Sequence, residues 1–301
     1  MIENLNKAEK IINATKWKKL SSNPYYYVYA YVYKNVIYPF SKKTKLVKRK
    51  TFFDEIFYIK LPAALDIFIY GTKSHSSEIR LAKFILKYLK PNNTFVDVGA
   101  HFGFFSLLAA SILKREGSVI SFEAAAYTFD VLKKNTENHQ TIKINHKACS
   151  NQNEILDFYE FPIDYSEYNA LNKKQYENSD WLEKKQPKKV SVQAVRLDEE
   201  LKNLDIDIIK IDVEGAEFEV VEGMKRILEN KKVKFIVLEF LDFSLKTSPH
   251  LQAAEYLIKH NFMPFAITKD GFLESIKENN FAVYLEKIRL KSDNIVFKIE
   301  E

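Results

Sequence analysis

The sequence has one cysteine, few glycines and no long apolar run. Cys149 is the single cysteine of 301 residues, which excludes an intramolecular disulfide framework and a multi-cysteine zinc site and fits a reducing cytoplasm. No run reaches the roughly 18 apolar residues that a membrane-spanning helix needs. No apolar signal core follows Met1. We therefore expect a cytoplasmic protein. Peripheral association with the inner face of the membrane is the alternative.

The composition is that of a globular protein with a substantial core. Hydrophobic residues make up 46% of the chain and charged residues 29%. The net charge of +6 is mild, so it allows anionic partners, but we do not expect nucleic acid. The length fits one large α/β domain with an extension. We divide the chain into an N-terminal arm (1–50) and a main domain (51–301), with a lead-in (51–93) and a core (94–301).

The arm combines tyrosines with basic residues. Seven tyrosines lie between Tyr25 and Phe40, and a strongly basic run follows over 42–50. Aromatic and basic residues side by side suit a membrane–water interface with anionic lipid, an acidic glycan or nucleic acid. The alternative, which we favour at this stage, is a solvated basic linker after tyrosines that pack on the domain. Peripheral membrane contact through 16–50 stays open.

The lead-in predicts two strands and a helix. Residues 52–61 and 65–70 resemble short strands separated by Pro62, and a helix is expected from about Ser76. Glu78 lies in the first turn of that helix, where an acid stabilises the helix dipole. We favour that role for Glu78 over contact with a ligand.

Residues 94–110 organise the chain. An apolar strand ends at Asp97, a turn contains Gly99 and Gly103, and an Ala- and Leu-rich helix follows over 104–114. Strand, turn and helix form the first unit of a parallel α/β sheet, whose ligands bind at the carboxyl ends of the strands. The two glycines would let the backbone turn sharply and approach a ligand, or would serve turn geometry alone.

The next two strands add candidate nucleoside contacts. The strand over 118–123 ends at Glu123, in the position where nucleotide-binding α/β folds hold ribose hydroxyls. A third strand is expected over 142–148, with Cys149 and Ser150 at its end, where a base could rest, and with Ala148 as a candidate cofactor contact. We expect Cys149 to be a small buried side chain, not a reactive thiol.

The turn favours a cofactor without phosphate. A dinucleotide site needs G-x-G-x-x-G, and this spacing is missing. Asp97 stands where a phosphate-binding fold would leave an open anion cradle. An acid there favours a positively charged ligand such as S-adenosylmethionine, with NAD as the competing cofactor.

The second half supplies more strand-end acids. Alternating strands over 155–161 and 190–195 are expected to pair, and the polar loop between them, 162–190, is expected to select the acceptor. A strand over 207–211 leads to Asp212 and Glu214, and another over 233–238 leads to Glu239. Because parallel strands share one edge, Asp97, Glu123, Asp212, Glu214 and Glu239 should surround one crevice.

The two informative stretches together resemble the FkbM family of S-adenosylmethionine-dependent methyltransferases over about residues 75–270. The matching segments are Phe95–Gly103, Phe122-Glu123, and above all Ile209–Glu217, followed by Glu239. The sequence departs from the family pattern at His101, where Asn is usual, and at Ala124, where Pro is usual.

The resemblance implies a Rossmann-like class I methyltransferase sheet with helices on both faces, preceded by a small N-terminal extension. It implies O-methylation of a hydroxyl on a sugar, glycan or secondary metabolite. The cofactor residues would be Asp97, Gly99, His101, Gly103, Glu123 and Ala148. The residues facing the acceptor would be Asp212, Glu214, Glu239 and His101.

For the proton of the acceptor hydroxyl, Asp212 is our first candidate base and His101 the second. The acid cluster could instead hold Mg²⁺, an alternative that we do not favour, and we predict no metal ligands. Two rival interpretations stay open: an NAD-dependent oxidoreductase, and a non-catalytic module that binds glycans or membranes.

Overall fold

The computed structural model describes residues 1–173, 176–177, 179–240, 248–276, 281, 283 and 293–299. Its strands are β1 (Lys45–Lys50), β2 (Ile56–Leu61), β3 (Thr94–Val98), β4 (Ser118–Phe122), β5 (Ile142–Asn145), β6 (Ala148–Cys149), β7 (Glu154–Glu160), β8 (Lys188–Val195), β9 (Ile206–Ile211), β10 (Val233–Phe240), β11 (Phe262–Ile267), β12 (Leu273–Ser275) and β13 (Asp293–Ile299). Its α-helices are α1 (Ile2–Ile12), α2 (Lys16–Ser22), α3 (Pro24–Val32), α4 (Tyr38–Ser41), α5 (Leu65–Tyr70), α6 (Ser76–Tyr88), α7 (Phe104–Leu113), α8 (Ala126–Thr136), α9 (Leu197–Glu200), α10 (Glu217–Glu222), α11 (Lys225–Glu229) and α12 (Pro249–Lys259). A π-helical turn (Tyr33–Ile37) joins α3 to α4, and 3₁₀ turns cover Ile163–Tyr168 and Leu182–Lys184.

One sheet of eight strands, in the order β12-β11-β13-β10-β9-β3-β4-β5, forms the centre of the described structure. The strands from β10 to β5 in this order are parallel, and β13, β11 and β12 join by antiparallel pairing. The chain runs outward from β3 to β5 and later returns to β9 on the other side of β3. The strand order therefore reverses between β3 and β9, which is where open α/β sheets form their ligand crevice.

Helices cover both faces of this sheet, as predicted. Alternate residues of a strand point to opposite faces, and neighbouring residues of β3 accordingly enter different cores. Phe95 packs in a cluster with α6 and α7, whereas Val96 packs with α10, α11 and α12. Because both faces are buried, β3 and β9 are near-continuous apolar runs, the pattern expected of central parallel strands.

The expected strand over 65–70 is wrong: these residues form helix α5. A short apolar run fits a buried helix as well as a strand. Here Gly71 ends the run with φ 72° and donates its backbone N–H to the Ile67 carbonyl at 2.8 Å. That left-handed residue after the last turn is a common helix stop.

A second, smaller sheet contains β6, β8 and β7. β7 and β8 pair antiparallel along their length, as predicted for the two alternating segments. The predicted third strand is too long, because β5 ends at Asn145 and Ala148 pairs with Ala194 in the smaller sheet. The chain leaves one sheet and enters the other within three residues.

The N-terminal arm is attached to the rest of the protein through helices and a strand. β1 pairs antiparallel with β2, so the two strands of this pair lie on opposite sides of the predicted domain boundary at residue 50. The boundary itself stays a prediction. Tyr26 and Tyr29 of α3 contact the Phe68 ring of α5. Within the described ranges, no helix combines the length and apolar character that crossing a bilayer requires.

Candidate active site

A pocket of about 540 Å³ lies at the reversal point between β3 and β9. The turns that follow β3, β4 and β9, together with the end of β10, form its floor. Residues 62–66 and 73–78 form one wall, and part of the loop after β7 forms another. The predicted crevice at the carboxyl ends of the strands is therefore present, and it has room for a small-molecule ligand.

Gly99 brings the turns after β3 and β9 into contact. It has φ 79°, and a Cβ atom built on it would lie 1.8 Å from the Asp212 carbonyl oxygen. The backbone N–H groups of Gly99 and Ala100 both donate to the Phe122 carbonyl at 3.0 Å. Gly99 also lines the pocket. Any side chain here would displace the β9 turn, because two backbones share the space.

Asp97 and Gly103 support this turn from behind. Asp97 is buried, and its Oδ2 accepts a hydrogen bond from Ser106 Oγ at 2.6 Å. Burial raises the pKa of Asp97. Gly103 lies against α8, where a Cβ would come within 2.5 Å of Leu132 Cδ1. Neither residue is among the described residues that line the pocket, and a direct contact of either with a cofactor stays a prediction.

Glu123 connects the turns that follow β3 and β4. Its Oε2 accepts the backbone N–H of His101 at 2.7 Å, and its Oε1 accepts the Ala125 N–H at 2.9 Å and the Thr128 hydroxyl at 2.7 Å. Burial raises the pKa of Glu123, against the opposing effect of these donors. The side chain lines the pocket. Each carboxylate oxygen has two lone pairs, so after these three hydrogen bonds Oε2 keeps one acceptor site for a ligand.

His101 lies beside Glu123 in the pocket wall. Its ring stacks on Phe102, and its Nε2 is 2.9 Å from Ser166 Oγ. Burial lowers the pKa of His101 to about 3, so the imidazole is neutral near pH 7. Its backbone has φ 51°. A non-glycine residue in this region is uncommon and is often found at functional sites.

Ala148 and Cys149 contribute small apolar side chains to the pocket. Although the predicted strand boundary was wrong, the pairing with β8 still brings Ala148 and Cys149 to the crevice, whereas Ser150 is not among the described residues that line it. Cys149 is buried, and burial raises the pKa of its thiol well above the usual range. The prediction of a small buried side chain at Cys149 is confirmed.

The structure brings together three of the five predicted strand-end acids. Asp212, Glu214 and Glu239 each offer a carboxylate oxygen, and these oxygens lie within 4.8 Å of one another. All three residues line the pocket. Glu214 has φ 55°, so its side chain is aimed from a left-handed backbone position. Glu123 belongs to another part of the pocket wall, and Asp97 lies behind it.

Lys210 sets the charge state of this cluster. Its buried Nζ donates to Asp212 Oδ2 at 2.8 Å and lies 3.8 Å from Asp97 Oδ1. Burial alone would raise the pKa of Asp212, but Lys210 and a hydrogen bond from Glu239 outweigh it and lower that pKa to about 2. Burial and the Asp212 charge raise the pKa values of Glu214 and Glu239 well above their usual range. Asp212 is therefore the ionised member, and Glu239 donates a proton to it.

Such a cluster can do two kinds of chemistry. It can take up a proton from a bound hydroxyl, or its oxygens can hold a divalent cation. Lys210 already compensates the charge of Asp212, and protons compensate the other two carboxylates. Lys210 and these protons are enough to offset the repulsion among the three carboxylates, so Mg²⁺ is not required to explain their close approach.

Sequence reasoning missed Lys73, which lines the pocket together with Glu78 and Glu167. Lys73 Nζ lies 2.9 Å from Glu78 Oε1 and 3.7 Å from Glu167 Oε1. Burial raises the pKa of Glu78 to about 7, although Lys73 opposes the shift. Asp66 accepts the Ser74 backbone N–H nearby, at 2.9 Å. We expected Glu78 to stabilise a helix dipole, and α6 does begin beside it, but its carboxylate faces the pocket.

The predicted acceptor loop contributes to the pocket from above. Tyr176 donates its hydroxyl to Glu214 Oε2 at 2.6 Å, which connects the loop to the acid cluster. Trp181 packs on Tyr165 and Tyr168 at 4.8 and 4.9 Å between ring centroids. Tyr168 lines the pocket. The described part of the predicted loop therefore carries an aromatic cluster of its own beside the site.

Comparisons with known proteins found a matching family model and a similar protein. The model of the family described as "Methyltransferase FkbM domain" matches residues 97–264. A relative called "Methyltransferase 1" from Beauveria bassiana (strain ARSEF 2860) is 29% identical over 152 residues, which cover 44% of this chain and 59% of that protein. The chain thus matches less than two thirds of that relative's length.

Solved structures with a similar arrangement share little sequence with this chain. The FkbM methyltransferase of Methylobacillus flagellatus KT is 12% identical, with a TM-score of 0.43, and the match covers 78% of this chain and 52% of that one. The SAM-dependent O-methyltransferase of Thermotoga maritima is 11% identical, with a TM-score of 0.40, covering 81% and 74%. The family model includes both the β3 turn and the acid cluster, so the chain belongs to the FkbM methyltransferase-domain family.

Proposed function

We propose that this protein is an S-adenosylmethionine-dependent methyltransferase acting on a hydroxyl oxygen of a sugar, a glycan or another small metabolite. The observation that carries the proposal is the division of one pocket into two regions. Glu123, Ala148 and Cys149 form a region suited to a nucleoside, and Asp212, Glu214 and Glu239 form a region suited to a hydroxyl acceptor. Family membership supports methyl transfer as the reaction.

The residues present fit S-adenosylmethionine. Glu123 keeps one acceptor site on Oε2 for a ribose hydroxyl, and small apolar side chains at 148 and 149 leave space for a flat base. Gly99 keeps the wall free of a side chain. The glycine pattern of a dinucleotide site is missing, which favours this cofactor over one that carries a pyrophosphate. When bound, this cofactor supplies a methyl group that the positive sulfur has already activated for displacement.

The protein's own contribution would be alignment of the acceptor and removal of its proton. Positioning of two reactants can supply about 7–11 kcal/mol in favourable cases. Asp212 is ionised and is our first candidate to accept the acceptor's hydrogen bond. The released proton would go to Asp212, the ionised carboxylate, and would be shared within the cluster, because strongly interacting acids titrate as a unit. His101, the second candidate, is a neutral imidazole whose pKa burial lowers to about 3, and it lies beside Glu123, outside the acid cluster.

Cofactor binding is the first test of the proposal. Isothermal titration with S-adenosylmethionine, S-adenosylhomocysteine and NAD⁺ should show binding of the first two and not of NAD⁺. Tighter binding of NAD⁺ would support an oxidoreductase. Binding of none of the three would support a non-catalytic module.

Methyl transfer is the second test. Incubation with methyl-labelled cofactor and fractions of cell extract should label a hydroxyl-bearing small molecule or glycan. Asp212→Asn should lower labelling by about 10²–10⁴-fold, the usual contribution of a positioned base, and leave cofactor affinity within a few fold. Asp157→Asn is the matched control, because Asp157 is exposed on β7 and pairs with Lys189 away from the pocket. Unchanged labelling with Asp212→Asn would remove Asp212 from the role of base.

A further inference from the structure

All charged side chains of the segment 16–50 are positive. It contains no Asp or Glu, and its basic residues are Lys16, Lys18, Lys19, Lys34, Lys42, Lys43, Lys45, Lys48, Arg49 and Lys50. Because the whole chain has a net charge of +6, the remaining residues together are net negative. The charge of this protein is thus divided between a basic N-terminal segment and an acidic main domain.

One side of this segment is already packed on the protein. Ala30 and Tyr33 are buried, with 1% and 4% of their surface exposed. Tyr26 and Tyr29 contact Phe68 at 5.2 and 5.8 Å between ring centroids. The sequence expectation that tyrosines pack on the domain is therefore confirmed for one side of α3. The helix has a core contact, and its outer side is a separate surface.

The outer side exposes large apolar side chains. Phe40 is 87% exposed, Trp17 81% and Tyr25 68%. Further exposed apolar residues of the segment are Val28, Tyr31, Val32, Val36 and Ile37. A single exposed apolar residue needs no explanation, but a group of them in one segment marks an interaction surface. We call this group, together with the basic residues of the segment 16–50, the N-terminal patch.

We propose that the N-terminal patch docks on an anionic lipid surface. Aromatic and aliphatic side chains enter the boundary between head groups and acyl chains, and lysines around them are attracted to anionic head groups. The charge of the segment complements such a surface, and the negative main domain would be directed away from it. A soluble polyanion such as RNA would satisfy the lysines but leaves the exposed valines and Ile37 without a partner.

Docking would place the pocket beside the lipid surface. Lys34 of the segment lines the pocket. Tyr38 donates its hydroxyl to Asp164, another lining residue, at 3.5 Å. The patch and the pocket are thus adjacent parts of one structure. An acceptor carried in or on a membrane could reach the pocket without leaving that surface.

Vesicle flotation of the full chain tests the proposal. We expect the protein to float with vesicles of phosphatidylcholine containing 30% phosphatidylglycerol, and not with pure phosphatidylcholine vesicles. Raising the salt concentration should weaken binding. Trp17→Ser with Phe40→Ser should lower binding at least 10-fold, and so should Lys42→Glu with Lys43→Glu. Trp17 fluorescence should shift to the blue on binding, measured against a Trp17→Phe variant that keeps only Trp181.

Matched controls lie elsewhere on the surface. Ile155→Ser with Phe272→Ser removes two other exposed apolar side chains, and Lys143→Glu with Lys188→Glu changes two other exposed lysines. Neither control should alter flotation. The proposal is overturned if anionic vesicles do not bind the protein, if the patch and control variants bind equally, or if a single-stranded RNA binds while vesicles do not. These outcomes are independent of methyl transfer, because none requires cofactor.

Discussion

Gly99 and Asp212 lie backbone against backbone at the centre of the sheet edge. A Cβ on Gly99 would be 1.8 Å from the Asp212 carbonyl oxygen, and the Asp212 N–H donates to the Val98 carbonyl at 3.1 Å. The two turns that would hold cofactor and acceptor are therefore one packed unit. A substitution that displaces one turn should therefore displace the other, because the two backbones are in direct contact.

Gly99→Ala should destabilise the protein and abolish cofactor binding. The substitution adds an atom where the β9 turn already lies, at a backbone φ of 79° that favours glycine. We expect a loss of more than about 2 kcal/mol in the free energy of unfolding, measured by urea denaturation. Asn203→Ala is the matched control, since Asn203 has φ 67° but is exposed. Equal effects of the two substitutions would attribute the loss to φ alone.

Lys210→Met should be strongly destabilising. Lys210 is the buried cation between Asp97 and Asp212, and removing one partner of a buried charge pair costs about 3–5 kcal/mol. The lowered pKa of Asp212, about 2, contributes stability that is present above its unfolded pKa and lost as pH falls through 2. The variant should lose this contribution at pH 7. Urea denaturation at pH 7 measures it, with Lys143→Met, an exposed lysine of β5, as the control. A loss no larger than in that control would contradict the assigned role of Lys210.

Glu123→Gln should weaken cofactor binding about 10-fold. The change removes the charge that would accept a ribose hydroxyl, and a hydrogen bond to a charged group contributes about 1.5–3 kcal/mol. Glu160→Gln is the control, because Glu160 accepts the Ala126 N–H at 2.8 Å at the start of the same helix without lining the pocket. Calorimetric titration with S-adenosylmethionine compares them. Equal affinities would exclude Glu123 as a cofactor ligand.

Glu78→Gln should change how stability depends on pH. Burial raises the folded pKa of Glu78 to about 7 from 4.5, so the native state binds this proton more tightly than the unfolded state. Stability from this group is complete below pH 4.5 and is lost as pH rises to about 7. The variant has no ionisable group at position 78, so it lacks this pH dependence. Its free energy of unfolding relative to the parent should therefore rise between pH 5 and pH 8, by up to about 3 kcal/mol.

Urea denaturation at four pH values across that range measures the Glu78 effect. Glu160→Gln again serves as the control. A constant difference between Glu78→Gln and the parent protein would show that Glu78 titrates normally. A falling difference would show that its pKa is lowered by Lys73 and not raised by burial.

The sequence by itself determined the parallel core and the strand-end acids. Apolar runs ending in Asp97, Glu123, Asp212 and Glu239 predicted strands whose carboxyl ends share one edge, and the sheet order confirms this arrangement. Such inferences succeed because burial on both faces requires continuous apolar residues, a pattern visible along the chain. The glycine turn was predictable for the same local reason.

The tertiary structure alone decided which of these acids meet and in what charge state. Asp212 lines the pocket and Asp97 does not, and Lys210, which lies opposite Asp97 on the neighbouring strand β9, reaches both carboxylates. Lys73 and Glu78 line the pocket although they precede the core strands in the sequence. Residues 65–70 form helix α5, which ends at Gly71. Local pattern fixes which residues end strands, but pairing across the sheet and desolvation depend on partners distant in sequence, and no local signal encodes them.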